Sequence, residues 1–188
     1  MIRFQKVSYT YLSQGPEKVQ SPSLNHISFH IPKGQCAVPC GKSGCGKTTL
    51  LRIVNGLACH FYQGRLEGDV SVSGMAPASA SLPELARVVG SVFQNPRTQF
   101  FHTDTTGELA FQLENQNMPR EQMRRRLDRV VTELGLESLM ERSIFALSGG
   151  EKQQIACGSV YASMPQVVVL DEPSSNLDLE GIRKLRGL

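Results

Sequence analysis

The chain has 188 residues, 40% of them apolar and 20% charged, with a formal net charge of +3 from 20 Lys+Arg against 17 Asp+Glu. That length can bury a core as one domain, and so small a net charge excludes a strongly electrostatic nucleic-acid binder. No run approaches the roughly 18 apolar residues of a membrane-crossing helix, and residues 1–6 lack the apolar centre of a secretory leader, so a soluble cytosolic protein is expected.

Ile2, Phe4, Val7 and Tyr9, then Ile27, Phe29 and Ile31, follow half-buried strand patterns. Between them, residues 13–23 carry Gly15, Pro16 and Pro22 and read as an exposed connection. Residues 36–40 are expected to form a strand that leads into Gly41-Lys42-Ser43-Gly44-Cys45-Gly46-Lys47-Thr48, a complete G-x-x-x-x-G-K-[ST] loop. A helix-patterned run over 49–60 follows, with Leu50, Ile53, Val54 and Leu57 at helical spacing. In that order, the loop's glycines turn backbone N–H groups toward phosphate oxygens and the helix adds its positive end. A nucleoside triphosphate is therefore the expected ligand: Lys47 reaches the β- and γ-phosphates, Thr48 ligates Mg²⁺, and Thr49 continues the cradle. The alternative is a glycine-rich turn with an incidental lysine.

Cys36, Cys40, Cys45, Cys59 and Cys157 form an odd set without a CxxC pair and read as reduced thiols, not a metal site. Val70 and Val72 predict a strand before Gly74, residues 76–81 a loop, and residues 88–93 another short strand. From 96 to 145 the pattern turns helical, with Met123, Leu127, Val130, Val131 and Leu134 three or four apart. Arg120, Arg124, Arg125, Arg126 and Arg129 alternate with Glu121, Asp128 and Glu133, as on a solvated helix face.

Leu147-Ser148-Gly149-Gly150-Glu151 has capping-box spacing at Ser148 and Glu151, and its glycines leave helix-start amides open to an anion. A well-capped helix without a ligand is the competing reading. The β-branched run 167–170 suits a parallel strand covered on both faces. Asp171 and Glu172 end it, where open α/β sheets place their ligands. Asp171 is expected to hold Mg²⁺ through its water shell and Glu172 to deprotonate the attacking water.

The loop at 41–48, the pentapeptide at 147–151, the strand and carboxylates at 167–172 and Ser174-Ser175-Asn176-Leu177-Asp178 together resemble the nucleotide-binding subunit of ATP-binding cassette (ABC) transporters. Within that family, Cys59-His60-Phe61-Tyr62, residues 90–97, Gln99-Phe100-Phe101, residues 104–113 and Arg142-Ser143-Ile144-Phe145 are similar to the ATPase of energy-coupling factor (ECF) importers of vitamins and metal ions. The resemblance implies an α/β P-loop NTPase (RecA-like) core. It also implies an antiparallel β subdomain within 1–94, an inserted helical subdomain at 95–146, and the signature and carboxylates at 147–188. It further implies that Tyr11 stacks on adenine, with Tyr9 the alternative, that Gln94 joins the metal site to the helical subdomain, and that Asp178 reads a partner's site.

The implied complex holds ATP and Mg²⁺ between the loop of one cassette and the Ser148, Gly149, Gly150 and Glu151 segment of a second, identical or related one. A transmembrane coupling subunit and a substrate-binding membrane subunit are the further partners, at the cytoplasmic face of the membrane and without nucleic acid. Family members continue through further strands, one with a histidine at the γ-phosphate, whereas His26, His30, His60 and His102 lie too early to match. The resemblance therefore predicts that the C-terminal part of the core is missing and that hydrolysis is weakened. Pro39 and Gln154 also depart from the family pattern. A non-hydrolysing nucleotide module and a soluble, non-transport ABC protein are the rival readings.

Overall fold

The computed structural model describes residues 1–12 and 22–173, which fall into two compact units, Met1–Val89 and Gly90–Leu188. In the first, β1 (Ile2–Tyr11) lies between β2 (Leu24–Ile31) and β3 (Gly64–Val72) in an antiparallel sheet. The pairing is regular from Ile2↔Ile31 to Phe4↔Phe29 and then shifts before Val7↔Ile27, where Lys6 adopts a left-handed φ of 49°. Gly68 sits against this bulge at φ 83°, and a Cβ there would lie 2.4 Å from Lys6 O, so only glycine fits. Phe4, Val7 and Tyr9 are buried as the sequence pattern predicts, Ser8 is buried between the last two, and Phe4 stacks on Phe29 at 4.6 Å.

Two helices and a third complete this unit: α1 (Lys47–Val54), α2 (Leu57–His60) and α3 (Leu82–Val88). The apolar pattern over 49–60 is one run in sequence but two helices in space. Gly56 takes φ 82° between them, Asn55 Oδ1 accepts from Leu57 N, and Leu85 Cδ1 lies 2.4 Å from where a Gly56 Cβ would be. The chain thus turns at the one residue that can be left-handed while α3 packs on it.

The expected strand over 36–40 does not form. These residues are exposed and outside regular structure, with Val38 76% exposed. Pro39 supplies the physical reason, since it has no N–H to give a ladder and proline is confined to edges and bulges of sheets.

In the second unit β4 (Val89–Val92) pairs with β5 (Val167–Leu170). Beside them lie α4 (Thr105–Asn115), α5 (Arg120–Leu134) and α6 (Gly149–Ala162), with 3-10 turns at Pro96–Thr98, Glu137–Leu139 and Ile144–Ala146. Leu109, Leu136, Leu139, Leu147 and Ile155 form one buried cluster, and Leu113, Val130 and Ala162 another. Gly158 lets α6 approach α4, because a Cβ there would stand 2.9 Å from both Leu109 Cδ2 and Leu136 Cδ1. The run in β5 was expected to be covered on both faces. Instead Val167 and Val169 are buried while Val168 is 54% and Leu170 41% exposed, because the other face has no covering element among the described residues. No helix among the described residues is long and apolar enough to cross a membrane.

Candidate functional site

The loop in the first unit is held open by its own backbone. Gly44 and Gly46 take φ values of 79° and 96°, and Cys45 N donates to Lys42 O at 3.2 Å. A Cβ on Gly46 would lie 2.4 Å from Ser23 O and 2.7 Å from Leu24 Cδ2, so this glycine also anchors the loop on the start of β2. Lys47 turns back over the loop, its Nζ donating to Gly41 O at 2.9 Å and Lys42 O at 3.1 Å. Gly46 is the N-cap of α1 and no side chain caps that helix. A glycine cap brings no side chain of its own to the first-turn amides, which is the electrostatic setting that favours phosphate. Lys42, Ser43, Gly44 and Cys45 are exposed, and Cys45 Sγ folds over Gly41, 2.6 Å from where a Cβ would be.

Thr48 is half-buried in the first turn of α1, and Thr49 is buried with its Oγ1 3.3 Å from the Tyr11 hydroxyl. Of the two tyrosines in β1, Tyr9 is 1% exposed and donates its hydroxyl to Ala58 O at 2.7 Å. Burial first, then the neighbouring Tyr11 and Cys59, push its pKa up to about 12. It is a core residue with no face for a base. Tyr11 is half-buried, meets Tyr9 and Tyr62 edge-on, and accepts from Arg52 Nη1 at 3.3 Å.

In the second unit Ser148 and Glu151 make the capping box that their spacing predicts. Ser148 N donates to Glu151 Oε2 at 2.7 Å, and Glu151 N to Ser148 Oγ at 3.3 Å. Arg142 Nη1 donates to the other oxygen, Oε1, at 2.8 Å. The Ser148 amide above all, then its hydroxyl and Arg142, hold the Glu151 carboxyl below the usual glutamate range. Both of its oxygens are thus engaged within the helix start, and what α6 offers an anion is the backbone of exposed Ser148 and Gly149 and half-buried Gly150. Arg142 enters the sequence reading only within a resembling segment; its pairing spans nine residues that cross a 3-10 turn and a helix start, and leaves no periodic signal.

Asp171 N donates to Val92 O at 3.0 Å, which ties the end of β5 to β4. Glu172 follows in a left-handed conformation, φ 46°, and its Oε2 accepts from Gln94 Nε2 at 2.8 Å. Residues 78 apart in the chain, both singled out by the sequence, therefore touch. Asp178 lies outside the described residues.

The donors offered for a metal, the Thr48 hydroxyl, Gln94 amide oxygen and Asp171 carboxylate, are all hard oxygens, which suits Mg²⁺. No group of three or more His, Cys, Asp or Glu able to hold a metal occurs among the described residues.

The family model for ABC transporters matches residues 24–175. A protein of Treponema denticola that bears the name ABC transporter ATP-binding protein is 50% identical over all 188 residues, which cover 37% of that relative. One from Streptomyces coelicolor with the same designation is 42% identical over 95% of this chain and 31% of its own length. The chain thus spans about a third of the length of the curated relatives it matches. Among solved structures, cbiO1 of Clostridium perfringens, described as part of the ABC transporter complex cbiONQ, is similar with a TM-score of 0.79. It is 24% identical over 98% of this chain and 70% of its own. A dimeric ATP-binding cassette in a post-hydrolysis state with ADP and phosphate superposes with a TM-score of 0.80, 24% identity, and coverage of 98% of this chain and 79% of that one. At these identities the structural likeness establishes the fold.

Proposed function

This chain belongs to the ABC transporter family, and we propose that it supplies the ATP-binding and ATP-hydrolysing cassette of an importer of the energy-coupling factor type. The observation that carries the reading is Lys47 Nζ lying over the Gly41 and Lys42 carbonyls of a glycine loop whose following helix has no side-chain cap. An ammonium held there by weak carbonyl acceptors exchanges them for phosphate oxygens at little conformational cost. Tyr11 is the residue that receives the adenine.

Thr48, Gln94 and Asp171 would hold Mg²⁺, which when bound neutralises phosphate charge as it develops. The exposed Glu172 carboxylate takes a proton from the attacking water, and Gln94 orients that carboxylate through the 2.8 Å bond. The amides of Ser148, Gly149 and Gly150 from a second cassette, identical or related, complete the phosphate cradle, and Asp178 reads the site of that partner. The working parts divide as residues 1–94, a helical block at 95–146, and the signature and carboxylates at 147–188. The helical block pushes on a membrane coupling subunit at the cytoplasmic face, and a separate membrane subunit selects the vitamin or metal ion. Support for the importer class comes from the segments at 59–62, 90–97, 99–101, 104–113 and 142–145 and from the likeness to cbiO1.

The experiment is Glu172→Gln. ATP affinity is retained, turnover falls by about two to four orders of magnitude as for loss of a general base, and an ATP-bound pair of chains accumulates in sedimentation. Normal turnover by that variant removes Glu172 from the mechanism.

A further inference from the structure

The Tyr11 hydroxyl is held by two residues of the helix that follows the phosphate loop. Thr49 Oγ1 stands 3.3 Å from it, and Arg52 Nη1 donates to it at 3.3 Å. Three residues apart on α1, Thr49 and Arg52 share a face of that helix. Arg52 is itself fixed, because its guanidinium lies over the Tyr62 ring, 4.3 Å from the centroid. Tyr62 in turn meets Tyr11 edge-on with centroids 5.9 Å apart and planes at 85°, and Tyr9 meets it at 4.9 Å and 81°. Tyr9 cannot shift, since it is buried and bonded to Ala58 O.

An arginine on an exposed helix face ordinarily samples many rotamers, and its hydrogen bonds orient little. Stacked on an aromatic ring, the guanidinium keeps its planar fork aimed in one direction. Here that fork reaches the phenol oxygen at the end of β1. The ring of Tyr11 is therefore clamped to α1, four residues from the Thr48 that ends the phosphate loop.

We propose that Arg52 is a positioning residue for nucleotide recognition: stacked on Tyr62, it fixes Tyr11 in the orientation that receives the base and ties that orientation to the helix that receives the phosphates. The inference rests on the reading of Tyr11 as the base-contacting residue. Arg52 acts through Tyr11 and needs no contact with the nucleotide. Its loss leaves the phosphate loop intact and costs only the part of the affinity that comes from the base.

Equilibrium binding of Mg-ATP and of Mg-tripolyphosphate, which has no base, tests this on the full chain. Arg52→Met and Tyr11→Phe are each expected to weaken ATP about three- to tenfold, the worth of one hydrogen bond with its stacking partner. The double variant should be no weaker than the worse single one, since both remove the same interaction. Tripolyphosphate affinity should be unchanged throughout, which also shows that the loop remains folded. Additive losses, equal weakening of both ligands, or an unchanged ATP affinity in Arg52→Met overturns the inference. Tyr11→Ala separates the two levels. If it leaves ATP as tight as before, Tyr11 does not contact the base. If it weakens ATP selectively while Arg52→Met does not, Tyr11 stands and the role of Arg52 falls.

Discussion

Gly46 carries three demands at once: a φ of 96°, a backbone approach of 2.4 Å between its would-be Cβ and Ser23 O, and the N-cap of an otherwise uncapped helix. Gly46→Ala should therefore cost about 1–3 kcal/mol through left-handed strain and collision and weaken nucleotide binding with it. Denaturant unfolding checks the first, and stability within a few tenths of a kcal/mol of wild type would contradict it. The glycine-lysine spacing made this residue readable in the sequence, and so was the capping-box pair Ser148 and Glu151. The Tyr9 or Tyr11 choice was not. Both alternate in one strand, and the burial of Tyr9 and its bond to Ala58, 49 residues on, mark it as core and leave Tyr11 as the candidate. Arg52 is not legible in the sequence for the same reason: its contacts with Tyr11 and Tyr62 join it to distant segments, and no local spacing encodes them.

At the scale of elements, α6 depends on a carboxylate at its start. Glu151 binds the Ser148 amide and Arg142 in the folded chain, so its folded-state pKa lies below the unfolded one. Its contribution is complete above the ordinary glutamate value of about 4.3 and is lost as pH falls through the lowered folded value. Glu151→Gln should accordingly be less stable than wild type at neutral pH, by about 0.5–1 kcal/mol for a partly exposed ion pair. The gap should close on acidification below the glutamate range. Thermal unfolding across pH measures it, and a gap that stays constant to low pH would contradict the assignment. Strands and helices were legible where periodicity was strong, as in β1, β2 and α5. The failures share a cause: Pro39 denied a strand to residues 36–40, Gly56 cut one apolar run into α1 and α2, and the Val168 face of β5 has no cover among the described residues. Each depends on a single residue or on a distant layer that an apolar pattern does not report.

At the scale of the molecule, the candidate site residues divide between two compact units, the glycine loop and Tyr11 in one, the start of α6 and the Gln94 and Glu172 pair in the other. The sequence offers these residues as candidates because each motif is short and carries its chemistry locally. It could not show that Gln94 and Glu172 are bonded, a contact across 78 residues. The proposed function rests on capture of a triphosphate by main-chain amides with Lys47 as the counter-charge. Titration of Mg-ATP into the purified chain and into Lys47→Ala measures that directly. Saturable binding by the wild type and a loss of about two orders of magnitude in the variant is the predicted result, as for removing a charge-assisted contact to phosphate. Equal affinity in the two, with both folded, would contradict the account.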